Sequence, residues 1–115
     1  MIETIVLNYL LSKELSVGEN VYCEVPKENL PDEYILIEKT GSSRVNHINQ
    51  AMIAIQTISK KDLYTVMLMN EEVKDVMDEI IELPEVFRCE LNSDYNYTNT
   101  ATKEYRYQAV FNLFY

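Results

Sequence analysis

The sequence predicts an α+β fold: a single-layer, mixed but mostly antiparallel β-sheet of about five strands, with two helices packed on one face. Three observations carry this. Near the C-terminus, Tyr105, Tyr107, Ala109, Phe111, Leu113 and Tyr115 fall on alternate positions, the period of a strand with one face turned to a core. Two other stretches repeat their apolar residues at helical spacing instead. With 115 residues the chain is long enough for one core, and residues 1–115 are expected to form a single α+β domain.

The first helix is predicted over residues 2–15, where Ile2, Ile5, Val6, Tyr9 and Leu10 share a face and Gly18 is the natural stop. Residues 21–25 alternate as a short strand that Pro26 ends, because proline has no N–H to give a ladder. A loop closed by Pro31 leads to a second strand at 34–40, whose Ile35-Leu36-Ile37 centre suggests cover on both faces. Residues 41–50 read as too polar and irregular for a tight hairpin turn and are expected to form a loop projecting from the sheet. A third strand follows at 51–58.

Ser59 and Asp62 then form a helix-capping pair. The long second helix carries Leu63, Val66, Met67, Val73, Val76, Met77 and Ile80 as its apolar stripe, and Pro84 closes it. This helix supplies the crossover into a last hairpin. The fourth strand is predicted at 86–91, and residues 92–102 form a polar loop before the final strand.

A formal net charge of -9 argues against binding nucleic acid by phosphate neutralisation, which needs clustered Lys and Arg. A basic partner, or DNA held at a distance, fits better. The apolar N-terminus lacks a basic flank and a small-residue cleavage site, and no apolar run reaches membrane-spanning length, so synthesis in the cytosol with no membrane partner is expected. Cys23 and Cys89 are then expected to be reduced, small buried hydrophobes.

Catalytic chemistry finds little support. His47 is the only histidine and has no Cys, Asp or Glu at metal-ligand spacing; with only two glycines the phosphate-cradling motifs are missing. No catalytic, metal or cofactor-binding residue is assigned, and no cofactor is implied. A thiol of Cys23 or Cys89 meeting His47 in space is the one enzymatic arrangement left open. Surface recognition is better supplied: Tyr95 and Tyr97 are the kind of rigid, polar-tipped aromatics that interfaces favour, and Met67 and Met69 spread apolar surface round more of the helix than one stripe needs. Glu71, Glu72, Asp75 and Asp78 read as a solvated helix face.

The strand ending Val25-Pro26, the acidic loop closed by Pro31, the run Tyr34-Ile35-Leu36-Ile37 into Gly41, the strand Ile53-Ala54-Ile55-Gln56, the long helix and the final strand opening Tyr105-Arg106-Tyr107 follow one another in an order that resembles the small tail-terminator and tail-completion proteins of long-tailed bacteriophages. The resemblance spans nearly the whole chain. It implies an architectural subunit that closes into a ring, of six copies, on the head-proximal end of the tail tube, stops tube growth and helps join tail to head. The implied partners are further copies of itself, the tail tube protein and the head–tail connector; the implied location is the tail–head junction of the virion. On this analogy Arg44, Val45, Asn46 and His47 in the projecting loop face the tube or the adjacent subunit, and Glu71, Glu72, Asp75 and Asp78 line a lumen through which DNA slides without sticking. A head-completion or connector subunit is the neighbouring reading. An acidic DNA mimic inhibiting a basic enzyme is the reading from another class, and it requires carboxylates spread over one continuous face.

Overall fold

The computed structural model describes residues 1–102 and 104–115. Its elements run α1 (Ile2–Ser12), β1 (Val21–Tyr22), β2 (Glu33–Val45), β3 (Ile48–Ser59), α2 (Leu63–Met77), a 3₁₀ turn (Ile80–Glu82), β4 (Arg88–Asn96) and β5 (Tyr105–Phe114). One five-stranded sheet has the order β1-β2-β3-β5-β4; β1 pairs parallel to β2, and every other pairing is antiparallel. Because β5 lies antiparallel between β3 and β4, those two strands run the same way. The path β3-α2-β4 is therefore a split crossover around β5.

Both helices cover the same face. Ile2, Val6 and Leu10 of α1 and Val66, Val73 and Met77 of α2 join Ile35, Ile37, Ile53, Ile55, Phe111 and Leu113 of the sheet in one core, each at most 1 % exposed. Each such aliphatic side chain contributes about 1.5–3 kcal/mol by leaving water. The two helices are stitched by Tyr9, whose hydroxyl donates to the Val76 carbonyl at 2.5 Å. Burial, and then Glu79 and Glu82, push that hydroxyl up to about 12.

Several boundaries differ from the sequence expectation. Helix α1 stops at Ser12, three residues early, because Glu14 turns to φ 52° and Gly18 to φ 61°, a left-handed path that folds Leu15 and Val17 back into the core. Strand β1 keeps only Val21–Tyr22.

The largest correction concerns residues 41–50, which form a tight hairpin after all. Strands β2 and β3 pair out to Val45↔Ile48, and the two-residue turn Asn46-His47 has φ 52° and 66°. Positive φ at both centres is the turn that matches the right-handed strand twist. Polar side chains do not prevent this, because ladder bonds use only backbone groups. Beyond the bulge between Lys39 and Gly41 the second strand's side chains are largely exposed and so need not be apolar. Likewise β4 extends to Asn96, so Tyr95 sits in a strand paired with Gln108, where a loop was expected.

Candidate assembly surface

Three surfaces carry the residues of interest. The first is the end of the sheet at the β2–β3 turn. Here Arg44 Nε donates to Asn49 Oδ1 at 2.7 Å, and Val45 stands 65 % exposed. Val45 and Ile48 face each other across the ladder, and by alternation they share the helix-free side of the sheet with Gln50 and Phe114. Together with Phe87 they line a groove of about 300 Å³. Its charged lining residue, among the described residues, is Arg88, which sits 5.2 Å from the Phe114 ring centre and pairs with Glu90.

The second surface is the outside of α2. Asp62 caps the helix by accepting from the Thr65 N–H at 2.7 Å and the Thr65 hydroxyl at 2.6 Å, and these bonds hold its carboxyl below the usual range. Tyr64, Met67 and Leu68, at i, i+3 and i+4, form an exposed apolar ridge. Met69 belongs to the core at 3 % exposure, so of the two methionines named from sequence only Met67 is offered outward.

The same stripe continues as acid through Glu71, Asp75 and Asp78. Glu71 pairs with Lys74 at 3.0 Å, which also reaches Asp94 of β4 at 3.1 Å. Those two bonds raise the Lys74 ammonium above its ordinary value. Glu72 accepts from the Ser16 N–H and hydroxyl at 3.1 and 2.9 Å, tying the turn after α1 to α2. Asp75 and Asp78 are exposed, and no ion pair is described for either. A helix C-terminus carries partial negative charge, so carboxylates crowded there cost stability. Helix stability alone would place them at the other end.

The third surface was missed by sequence reading. On the helix-free face, side chains from four strands form a hydrogen-bonded ladder. The Tyr34 hydroxyl donates to Glu104 Oε2 at 3.5 Å, and Arg106 lies 3.8 Å from the same oxygen. Arg106 Nη1 donates to Gln56 Oε1 at 2.9 Å, Gln56 Nε2 to Gln108 Oε1 at 2.8 Å, and Gln108 Nε2 to the Tyr95 hydroxyl at 2.5 Å. Tyr97 packs edge-on against Tyr95, with ring centres 6.1 Å apart. The available signal was the other phase of the β5 alternation: Arg106 and Gln108 interleave with the apolar set.

The groups weighed for chemistry lie apart. Cys23 follows β1 and Cys89 opens β4, at opposite edges of the sheet, and His47 is at the exposed turn. Among the described residues no hydrogen bond joins His47 to either thiol, and no cluster of His, Cys, Asp and Glu is placed to hold a metal. Neither cysteine is the buried hydrophobe expected from sequence: Cys23, just beyond the short β1, is exposed and Cys89, on the edge strand β4, is half-buried. Partial desolvation, with Asp78 and Glu90 nearby, still pushes the Cys89 thiol up to about 12, and desolvation of Cys23 with Glu3 nearby raises it. Both shifts oppose thiolate formation. Among the described residues no helix is long and apolar enough to cross a membrane.

What fold and surface define is a small α+β protein with a helix-backed sheet, two uncovered apolar patches and an acidic helix end. No protein-family model and no curated protein matches the chain. Among solved structures it is similar to a chain from the virion of a native gene transfer agent particle, with a TM-score of 0.74 and 15 % identity over 98 % of this chain and 92 % of that one. At that identity the shared property is the fold.

Proposed function

We propose that the protein is a structural subunit of a phage-type virion, one that caps the head-proximal end of the tail tube, terminates tube growth and helps join tail to head as a ring of six. The observation that carries this is the end-to-end likeness to a chain of a virion particle: 98 % of this chain and 92 % of that chain superpose, which is more than a shared motif. A ring subunit needs two different surfaces for its two neighbours, and the presence of two separate exposed apolar patches, the groove at the β2–β3 turn and the ridge on α2, supports this reading.

The acidic end of α2 supports a DNA passage. Of the four carboxylates proposed for the lumen, Glu71 and Glu72 are engaged with Lys74 and Ser16, so Asp75 and Asp78 carry most of the free charge. Facing inward, they repel phosphate and let the genome slide. Replacing both Asp75 and Asp78 by Lys should leave the fold intact and raise its stability by about 0.3–1 kcal/mol per site, since cations suit a helix C-terminus, while slowing genome ejection. Ejection at the normal rate from particles carrying the variant would reject the lumen placement.

The direct test is disruption of the gene in the source phage or prophage, with electron microscopy of the induced lysate. Filled heads beside unjoined, over-long tails are expected; unjoined tails of normal length would point to the connector role. Normal joined virions would overturn the structural reading.

A further inference from the structure

We infer that the open edge of β2 beside α1 takes an extended segment of another protein as an added strand, with a lysine or arginine of that segment entering the cleft beside the first turns of α1. The edge is left bare by a short neighbour. The Ile35 N–H donates outward to the Asn20 carbonyl at 2.9 Å, and β1 ends at Tyr22, opposite Leu36. By alternation the backbone groups of Ile37 and Lys39 point to the same side, where, from the Ile37 carbonyl onward, no strand among the described residues pairs with them. Such a row of unpaired N–H and C=O groups is a template for another chain. The bulge between Lys39 and Gly41 ends the regular edge, so the added segment is short.

A side-chain pocket adjoins this stretch. The first turns of α1 and the bare part of β2 flank a cleft of about 400 Å³, walled by Met1, Leu7, Cys23 and Ile37. Ile37 lies in the core under the helices and Lys39 reaches back towards Glu3 of α1, so residues set opposite them on an added strand turn their side chains to the same side. The group waiting there is Glu3. Its Oε1 is buried and no donor reaches it among the described residues, while Lys39 Nζ stands 3.8 Å from Oε2, beyond hydrogen-bond distance. A buried acceptor in that state costs stability that an incoming N–H returns.

That chemistry selects the occupant. A lysine or arginine has an aliphatic stem to lie along Met1, Leu7 and Ile37 and a charged head that donates to a carboxylate. Among the residues lining the cleft, Glu3 and Glu38 outnumber the one cation, Lys39, which favours a positive visitor. The backbone must be extended, because only a strand matches the alternating groups of the edge, and side-chain pockets beside the ladder are what give strand addition its specificity. A second copy does not fit. The sheet's other open edge is β4, whose one cation, Arg88, pairs with Glu90 in the same strand before the chain runs on to Asp94. The occupant is therefore a different chain, and its site is separate from both apolar patches and from the tail role proposed above.

The test selects random heptapeptides, displayed on a carrier, against the purified protein and then uses the enriched sequence as a free peptide. Enrichment of alternating β-branched residues around one Lys or Arg is expected. In amide NMR spectra the free peptide should shift the signals of Glu3 and Lys39 and protect the Lys39 N–H from solvent exchange. Glu3→Gln should weaken binding by at least about tenfold, the scale of one charge-assisted hydrogen bond, whereas Asp75→Asn, outside the cleft, should leave it unchanged. Norleucine in place of the peptide's basic residue should give the same loss on the unaltered protein, which keeps the test open should Glu3→Gln not fold. Methylating the peptide nitrogens that face β2 should abolish binding, and methylating the alternate ones should not. Failure to enrich any peptide, binding indifferent to Glu3 and to the basic residue, or shifts confined to the β2–β3 turn would each overturn the site. A peptide that acts only by breaking up a dimer of the protein, seen by analytical ultracentrifugation, would give the edge to a second copy and overturn the occupant.

Discussion

The two faces of this sheet bury their residues by different means. On the helix side, Ile53, Ile55, Ala109, Phe111 and Leu113 lie under α1 and α2 and are essentially inaccessible. On the other side no helix packs, yet Tyr34 is 1 % exposed and Gln56 and Gln108 only 6 % and 8 %. There the cover is lateral: Arg106 donates to the Gln56 amide, the Tyr95 hydroxyl accepts from the Gln108 amide, and Glu104 accepts from the Tyr34 hydroxyl. The apolar face draws its stability from area removed from water. The polar face depends on every member of the ladder keeping its partner, since an orphaned buried amide costs more than a net hydrogen bond gives.

The comparison can be tested from its strongest term downwards. Phe111→Ala should destabilise by about 3–5 kcal/mol in urea unfolding through the cavity it leaves; a loss no larger than that from a ladder substitution would erase the distinction between the faces. Arg106→Ala should cost about 1–3 kcal/mol by stranding Gln56 Oε1 and Glu104, whereas Gln56→Leu with Gln108→Leu, which removes both members of a pair, should be nearer neutral. Equal losses from the two would mean that packing, not satisfaction, holds that face. At the hairpin turn, outside both faces, His47→Gly should stabilise by up to about 1 kcal/mol in the same measurement, because glycine has no β-carbon to crowd a φ of 66°. An unchanged midpoint would show the turn to be unstrained.

The smallest expected effect concerns pH. The Tyr9 hydroxyl is pushed from 10.0 to about 12, chiefly by burial, so the folded state favours its protonated form. Its contribution is complete below the unfolded value and is lost as pH rises from 10.0 to about 12. Tyr9→Phe should flatten the fall in melting temperature over that window. An identical profile would assign the alkaline loss to another group, and Tyr34, raised by burial and by Glu104 on the opposite face, is the natural candidate.

Much of the helix side was legible because its signals are local. The alternation of β5 and the stripes of α1 and α2 each depend on residues within a few positions of one another, and so does the cap of α2, although Asp62 alone makes it and Ser59, its expected partner, ends β3 instead. Of the candidate surface residues, Val45 and Met67 are exposed; for Met67 that corrects its place in the buried stripe of α2, from which it projects outward instead. Met69 could not be told from Met67 by composition, because which side of a helix meets a sheet depends on where the sheet lies.

The sequence by itself determined the α+β class, the two helices, the apolar phase of the last strand and the acidic bias, since period, capping and charge are carried by side chains close in the chain. Only the tertiary structure decided the β1-β2-β3-β5-β4 order, the hairpin running to Asn46-His47, the reach of β4 to Asn96 and the ladder from Tyr34 to Tyr95. Strand pairing is made by backbone groups that every residue but proline possesses, so polar residues pair as readily as apolar ones once a neighbouring strand is in place. The ladder joins partners up to 70 residues apart, and no local pattern encodes a hydrogen bond at that separation.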